Sequence, residues 1–250
     1  MMNSIGDRMK SYEAVTNTIL MPRSCIAIRL DGHNFSKFTR GFTKPFDDII
    51  VKAKRYTLEM LCKYTQNCIF GYEQSDEMLL LLKTYTNDAS ELMGNRLEKI
   101  VSLKAAEATV YFNESLYNSI NDENKAFIEK KLFKAYFDCR AFNIPDDDAA
   151  NLILWRVQDC RRNSIQSLAH SMFSHKSMMN KNTDELKEMI AIKDATKDWE
   201  SLDTSLKYGT YIARKLTEDK KIWETNAMID PKDQEFYNKF SQIIRDGYYA

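Results

Sequence analysis

Neither a dominant charge, a zinc-ligand pattern nor a long apolar run is present in this 250-residue sequence. Its 36 basic and 36 acidic residues cancel, so it lacks the general field by which strongly basic proteins gather polyanions. Local clusters still count, because charges more than about 10 Å apart are screened at moderate salt. The cysteines Cys25, Cys62, Cys68, Cys139 and Cys160 form no CxxC pair, and three histidines accompany them. Zinc-ligand spacing is therefore missing, and reduced, packed thiols are expected. No stretch approaches the roughly 20 apolar residues of a membrane helix, and Met1 to Lys10 carry charge where a signal peptide has its apolar core. Without repeats or low-complexity linkers, the chain is expected to be one cytoplasmic domain with no membrane partner, able to bury its own core.

Strand signals come first at Cys25-Ile26-Ala27-Ile28-Arg29-Leu30, a short apolar run stopped by the turn chemistry of Asp31-Gly32. From Phe46 to Gln66, the spacing of Ile49, Ala53, Tyr56, Met60 and Tyr64 predicts a helix with those residues inward. Residues 69–72 and 78–82 read as two strands of a hairpin whose turn is the polar segment Glu73 to Glu77. A second long helix is predicted from Ser90 to Phe112, with Leu92, Leu97, Ile100, Leu103 and Ala106 facing the core, and a further strand over 135–142. Helices follow over 146–175 and 184–190, strands over 208–214 and 221–224, and Pro231 opens a final amphipathic helix through Ile243 and Ile244.

Strand, helix, strand, strand, helix, strand is the split βαβ order of a ferredoxin-like layer. The fold class is thus α+β: a polymerase-palm-like antiparallel sheet with helices on one face over 1–145, and a mostly helical elaboration of the same domain over 146–250. In such a sheet the first and third strands lie side by side, which brings Asp31 and Asp76 to one sheet end. Two carboxylates there suit magnesium, which takes one or two of them together with substrate phosphates. Each alone reads as an ordinary turn residue.

The residues around them are more specific. Arg29-Leu30-Asp31-Gly32-His33-Asn34-Phe35, followed by Lys44-Pro45-Phe46-Asp47, resembles the first motif of the tRNA guanylyltransferase family. Tyr72-Glu73-Gln74-Ser75-Asp76-Glu77 is similar to its second, Phe137-Asp138-Cys139-Arg140 to its third, Trp155 to Cys160 to its fourth, and Tyr208-Gly209-Thr210 to its late strand. Gly6 to Lys10 also recurs in the family. After Asp159-Cys160, the family's histidine-tRNA enzymes carry His-Ile-Asn-Asn, whereas Arg161-Arg162-Asn163-Ser164 stands here. That pattern resembles the Thg1-like branch; Cys139, where relatives carry Gly or Ala, is a small departure.

The resemblance implies that Asp31 and Asp76 coordinate two magnesium ions with the Gly32 carbonyl, and that Glu77 supports them on the catalytic side. It implies a nucleoside triphosphate held by main-chain amides at His33, Asn34 and Phe35, by Ser36 and Ser75, by Lys44 and Lys99 as phosphate cations, and by Asp47. Arg29, Arg156, Arg161, Arg162, Asn163 and Lys207 are the implied tRNA contacts, although Arg161 and Arg162 point about 100° apart on a helix. The alternative for these cations is a solvated basic face paired with Asp146 to Asp148 or with Asp159.

By the same resemblance, ATP or GTP activates a 5′-monophosphate and nucleoside triphosphates are added 3′-to-5′ on a truncated tRNA, by a homotetramer touching through apolar faces of its carboxy-terminal half. Three other readings are a strict histidine-tRNA guanylyltransferase adding one guanosine, a catalytically silent tRNA-binding module, and a nucleotide cyclase.

Overall fold

The computed structural model describes residues 4–85, 89–194, 196, 198–218 and 220–249. In chain order its main elements are α1 (Ile5–Glu13), β1 (Cys25–Gly32), α2 (Phe35–Phe38), α3 (Asp48–Tyr64), β2 (Cys68–Gln74), β3 (Glu77–Leu82), α4 (Leu97–Asn118), α5 (Lys125–Ile128) and β4 (Phe137–Ile144). The second half adds α6 (Asp146–Met172), α7 (His175–Met178), α8 (Thr183–Lys193), α9 (Thr204–Tyr208), β5 (Thr210–Leu216), β6 (Lys221–Ala227) and α10 (Glu235–Asp246). Among the described residues no helix is long and apolar enough to cross a membrane.

The strands form one six-stranded sheet in the order β4-β1-β3-β2-β5-β6, with every neighbouring pair antiparallel. Its first four strands, with α3 and α4 as crossovers, follow the split βαβ plan. β5 and β6 widen the sheet on the β2 edge. Alternation along each strand assigns the two faces. Ile26, Ile28 and Leu30 of β1 and Met78, Leu80 and Leu82 of β3 pack with Leu58, Leu61, Ile100 and Phe112 of α3 and α4. Cys25, Ala27, Leu79 and Leu81 face the other way, against Ile153, Val157, Phe240 and Ile244 of α6 and α10. The carboxy-terminal elaboration thus covers much of the face that the palm helices leave open, while Arg140 and Phe142 of β4 stay exposed on it.

Both long helices of the first half are rotated from the faces read in the sequence. On α3 the buried side is Ile50, Ala53, Lys54, Thr57, Leu58, Leu61 and Cys62, while Tyr64 is exposed. On α4 it is Ile100, Lys104, Ala108 and Phe112; Leu103 and Ala106 are exposed. In each case a lysine sits on the buried stripe and is satisfied there, Lys54 by Glu73 and Lys104 by Thr65 and Glu107. A count of apolar spacings passes over such positions. α4 also starts later than Ser90, because Met93 and Gly94 adopt left-handed backbone conformations that interrupt the helix.

Candidate active site

β1 continues through Asp31 and Gly32, so Asp31 belongs to the strand and not to a following turn. It pairs with Glu77 on one side and with Asp138 on the other. Between Gln74 and Glu77 the hairpin turn is only Ser75 and Asp76, with Ser75 in the left-handed region at φ 49°. The Gly32 N–H donates to the Asp76 main-chain oxygen at 2.9 Å, which ties that turn to the end of β1. Burial raises the Asp31 carboxyl above its ordinary range, and the carboxylates of Asp76 and Asp138 push the same way against Arg140 and Arg29. The two aspartates read from the sequence are therefore neighbours.

Gly32 is the one residue type that fits its position. A Cβ there would stand 2.3 Å from Phe35 Cδ2, and that ring is held by Phe38, Phe112 and Phe137. The backbone after β1 is correspondingly fixed. His33 N–H donates to the Tyr136 oxygen at 2.8 Å, so this amide is already used and does not join those of Asn34 and Phe35 in an anion cradle. Asn34 is left-handed and leads into α2, and its side chain lies 2.8 Å from His33 Nε2.

Glu77 is buried on the α6 face. Arg156 Nε donates to its Oε1 at 2.6 Å, and Arg29 Nε lies 3.9 Å from Oε2. Arg156 Nη2 also donates to Asp159 at 2.7 Å. This corrects the reading of Arg156 as an RNA contact: its charge is spent inside the protein. Burial raises the Glu77 carboxyl and both guanidiniums oppose the rise.

Beside the aspartates opens a cavity of about 340 Å³ that gathers Phe35, Ser36, Lys44, Asp47, Ser75, Asp76 and Asn163. All seven are among the residues read from the sequence. Asp47 is the N-cap of α3, accepting from Ile49 N–H and Thr43 N–H, so its carboxylate shapes the loop that carries Lys44. Asn163 reaches Asp159 at 3.3 Å and Gln74 at 3.5 Å.

The cavity floor holds polar residues that the sequence did not single out. Lys54 Nζ stands 3.0 Å from Glu73 Oε2, both side chains buried, and Arg55 donates to Thr210 at 3.3 Å. A lysine on a helix face otherwise made of Ile50, Leu58 and Leu61 was the available signal, since a buried charge needs a partner. Gly209 closes the floor at φ 89°, where a Cβ would meet the Glu73 carbonyl oxygen at 2.5 Å. Cys160 also lines it, but burial pushes that thiol up to about 12, and a protonated thiol is no nucleophile.

The remaining cations are placed elsewhere. Lys99 is exposed near the start of α4, which begins at the sheet end where Leu82 pairs with Ile26, opposite the aspartates. It is not brought to the site, because α4 leaves β3 at the far end and returns. Arg162 is exposed and ion-paired with Asp159. Arg161 and Lys207 approach the Trp199 ring, each at 5.4 Å, and Lys207 Nζ donates to the Glu200 oxygen at 3.0 Å.

Among the described residues no three acidic, histidine or cysteine side chains converge as a metal cage of their own. What the site supplies is hard oxygen: two neighbouring carboxylates, of which Asp31 is raised in proton affinity by burial and then by the charge of Asp76. That donor set fits magnesium, which completes its coordination with water and substrate phosphate, better than it fits zinc.

Comparison with known proteins agrees with this geometry. A family model described as tRNAHis guanylyltransferase (Thg1) matches residues 6–145. A bacterial tRNA(His) guanylyltransferase (Thg1)-like protein solved in complex with ATP is 31% identical, with a TM-score of 0.83 over 96% of this chain and 99% of that one. A bacterial Thg1-like structure in complex with GTP matches at 28% identity and a TM-score of 0.78, over 97% and 99%. An uncharacterized protein of Acanthamoeba polyphaga mimivirus is 28% identical over 95% of this chain and 85% of its own. The tRNA(His) guanylyltransferase of Saccharomyces cerevisiae is 28% identical over 66% and 67%. The chain belongs to the tRNA(His) guanylyltransferase family of nucleotidyltransferases.

Proposed function

We propose that this protein adds nucleotides in the 3′-to-5′ direction to the 5′ end of truncated tRNA, with the opposite strand as template. The observation that carries the reading is the cavity lined by Asp76, the neighbour of Asp31, with Lys44, Ser36, Ser75 and Asn163 in its wall. A nucleoside triphosphate seated there has cationic and hydroxyl donors for its phosphates, and its phosphate end meets the acidic sheet end. The nucleotide complexes of the Thg1-like neighbours support this use of the cavity.

Asp31, Asp76 and the Gly32 carbonyl would hold two magnesium ions, which supply charge neutralisation in phosphoryl transfer. The chain's own residues position the reactants. Gly32 and the turn at Ser75 and Asp76 are fixed to each other by a main-chain hydrogen bond, and Glu77 braces the start of β3 against α6. In the first step the 5′-monophosphate displaces pyrophosphate from ATP or GTP, leaving a nucleotidylated end. In the second, the 3′-hydroxyl oxygen of the incoming nucleotide bonds to the 5′ phosphorus, the activating nucleotide departs as its monophosphate, and the hydroxyl proton passes to solvent. A 5′-triphosphate needs no first step and loses pyrophosphate instead.

Base pairing, and not a protein pocket, selects the added nucleotide in this reading. Arg161-Arg162-Asn163-Ser164 in place of His-Ile-Asn-Asn favours it over strict addition of one guanosine. We place the enzyme in the cytoplasm as a homotetramer. Leu103, Val110 and Tyr117, all exposed and seven residues apart along α4, support association through the amino-terminal half in place of the expected carboxy-terminal faces. The test is a labelled 5′-truncated tRNA with magnesium and each nucleoside triphosphate in turn, resolved by length. Extension by the complement of each opposing nucleotide is expected; guanosine added whatever stands opposite would assign the strict enzyme, and no extension would leave a silent binding module.

A further inference from the structure

The third motif and Trp155 of the fourth take no part in the cavity. They meet on the sheet face beside α6. Arg140 pairs directly with Arg29 across β4 and β1, and directly opposed residues share one face with Cβ atoms about 5 Å apart. Two guanidiniums so placed repel each other, and the carboxylates of Asp31, Glu77 and Asp138 offset them without a close hydrogen bond to either. Arg140 approaches Asp138 at 3.8 Å and Arg29 approaches Glu77 at 3.9 Å, both beyond hydrogen-bond length, while Arg29 Nε is buried with no hydrogen-bond partner. An anion lying over the pair removes the repulsion.

Next to this pair stands an aromatic surface. Trp155 projects from α6 with its ring centre 6.0 Å from the Arg29 guanidinium, and it is 52% exposed. The ring is backed by Arg156 at 4.4 Å, which Glu77 and Asp159 fix in place. Phe142, two residues beyond Arg140 on the same face and opposite Ala27, is 37% exposed. A fixed, open indole beside guanidiniums held only by long ion pairs, at 3.8 and 3.9 Å, matches the chemistry of a nucleic-acid strand, with phosphate on the cations and a base on the ring. The row of Asp138, Asp31 and Glu77 lies one pleat repeat away, about 6.8 Å, comparable to the step between successive phosphates of an extended strand.

We infer that this open face holds the 5′-terminal segment of the RNA substrate, with Arg29 and Arg140 on its phosphates and Trp155 stacked on a base. The inference rests on the reading of the protein as a tRNA 5′-end nucleotidyltransferase. It gives the strand a path from the paired arginines to Asp31.

The experiment measures binding of a 5′-truncated tRNA transcript, and separately of ATP, to wild type, Arg140→Ala, Trp155→Ala and Trp155→Phe, with nucleotide addition followed in parallel. Each alanine variant should bind tRNA about tenfold more weakly, and Arg140→Ala should reduce the salt slope by about one. Trp155→Phe should retain most of the affinity, and ATP binding should not change in any of them. Arg140 is 57% exposed at its side chain, so its alanine variant keeps the fold. Unchanged tRNA affinity and salt slope in both alanine variants overturns the inference even if wild type extends tRNA. Parallel loss of ATP and tRNA binding overturns it too, as does a change of oligomeric mass with tRNA affinity intact, which assigns the face to a second copy. Loss of tRNA affinity in variants of a wild type that never extends tRNA sustains the face and sinks the enzymatic reading.

Discussion

Arg156 Nε lies 2.6 Å from Glu77 Oε1, joining residues 79 positions apart and locking α6 to the strand that starts beside Asp76. Removing the arginine strands a buried carboxylate, which costs about 3–5 kcal/mol. Arg156→Ala should therefore lower the urea midpoint strongly. Arg162 also pairs with Asp159 but its side chain is 59% exposed, so Arg162→Ala should change stability by less than about 1 kcal/mol. Equal midpoints for the two variants would show that the buried pair carries no special weight.

Glycine is required at 32 and 209 for different reasons. At Gly32 an added methyl group meets the packed Phe35 ring, and at Gly209 it meets a main-chain oxygen from a left-handed conformation. Gly32→Ala should lose about 1–3 kcal/mol, and Gly209→Ala more, because backbone yields less readily than a ring. Thermal melts rank the two, and the reverse order would contradict this account of the cavity floor.

Position decides between the two lysines proposed to meet phosphate. Lys44 lines the cavity, whereas Lys99 begins α4 at the opposite sheet end. Lys44→Ala should weaken ATP binding about tenfold and Lys99→Ala should leave it unchanged. Titration calorimetry with ATP and magnesium reads both, and a comparable loss in Lys99→Ala would require a different nucleotide pose.

Burial and the nearby carboxylates of Asp76 and Asp138 raise Asp31, so the folded chain holds that proton more tightly than the unfolded chain does. Protonated Asp31 favours folding, and this contribution fades as pH rises through the raised value. Metal-free wild type should accordingly lose melting temperature relative to Asp31→Asn as pH climbs from about 4 toward 7. Parallel profiles for the two proteins would mean that burial and the nearby carboxylates do not raise Asp31.

Strand positions and the neighbouring aspartates were legible because short apolar runs broken by turn residues are local signals, and the βαββαβ order places β1 against β3. The polar stretch from Glu73 to Glu77 misled. Glu73, Gln74 and Glu77 are buried strand residues, partnered by Lys54, Asn163 and Arg156 from remote parts of the chain. Only Ser75 and Asp76 turn. The same remoteness disguised Arg156, which pairs with Asp159 in its own helix but also with the buried Glu77, 79 positions away. Lys99 was recoverable: a helix that follows the second strand of a hairpin starts at the end away from the turn.

The Gly32 N–H bond to the Asp76 oxygen belongs to the backbone alone, so exchanging either aspartate for asparagine discards negative charge while the scaffold around it persists. Chemically disabled variants that keep their shape are what is needed to capture RNA and nucleotide together in a stalled complex. Asp31→Asn and Asp76→Asn are suitable proteins with which to attempt crystals or cryo-EM grids of that assembly.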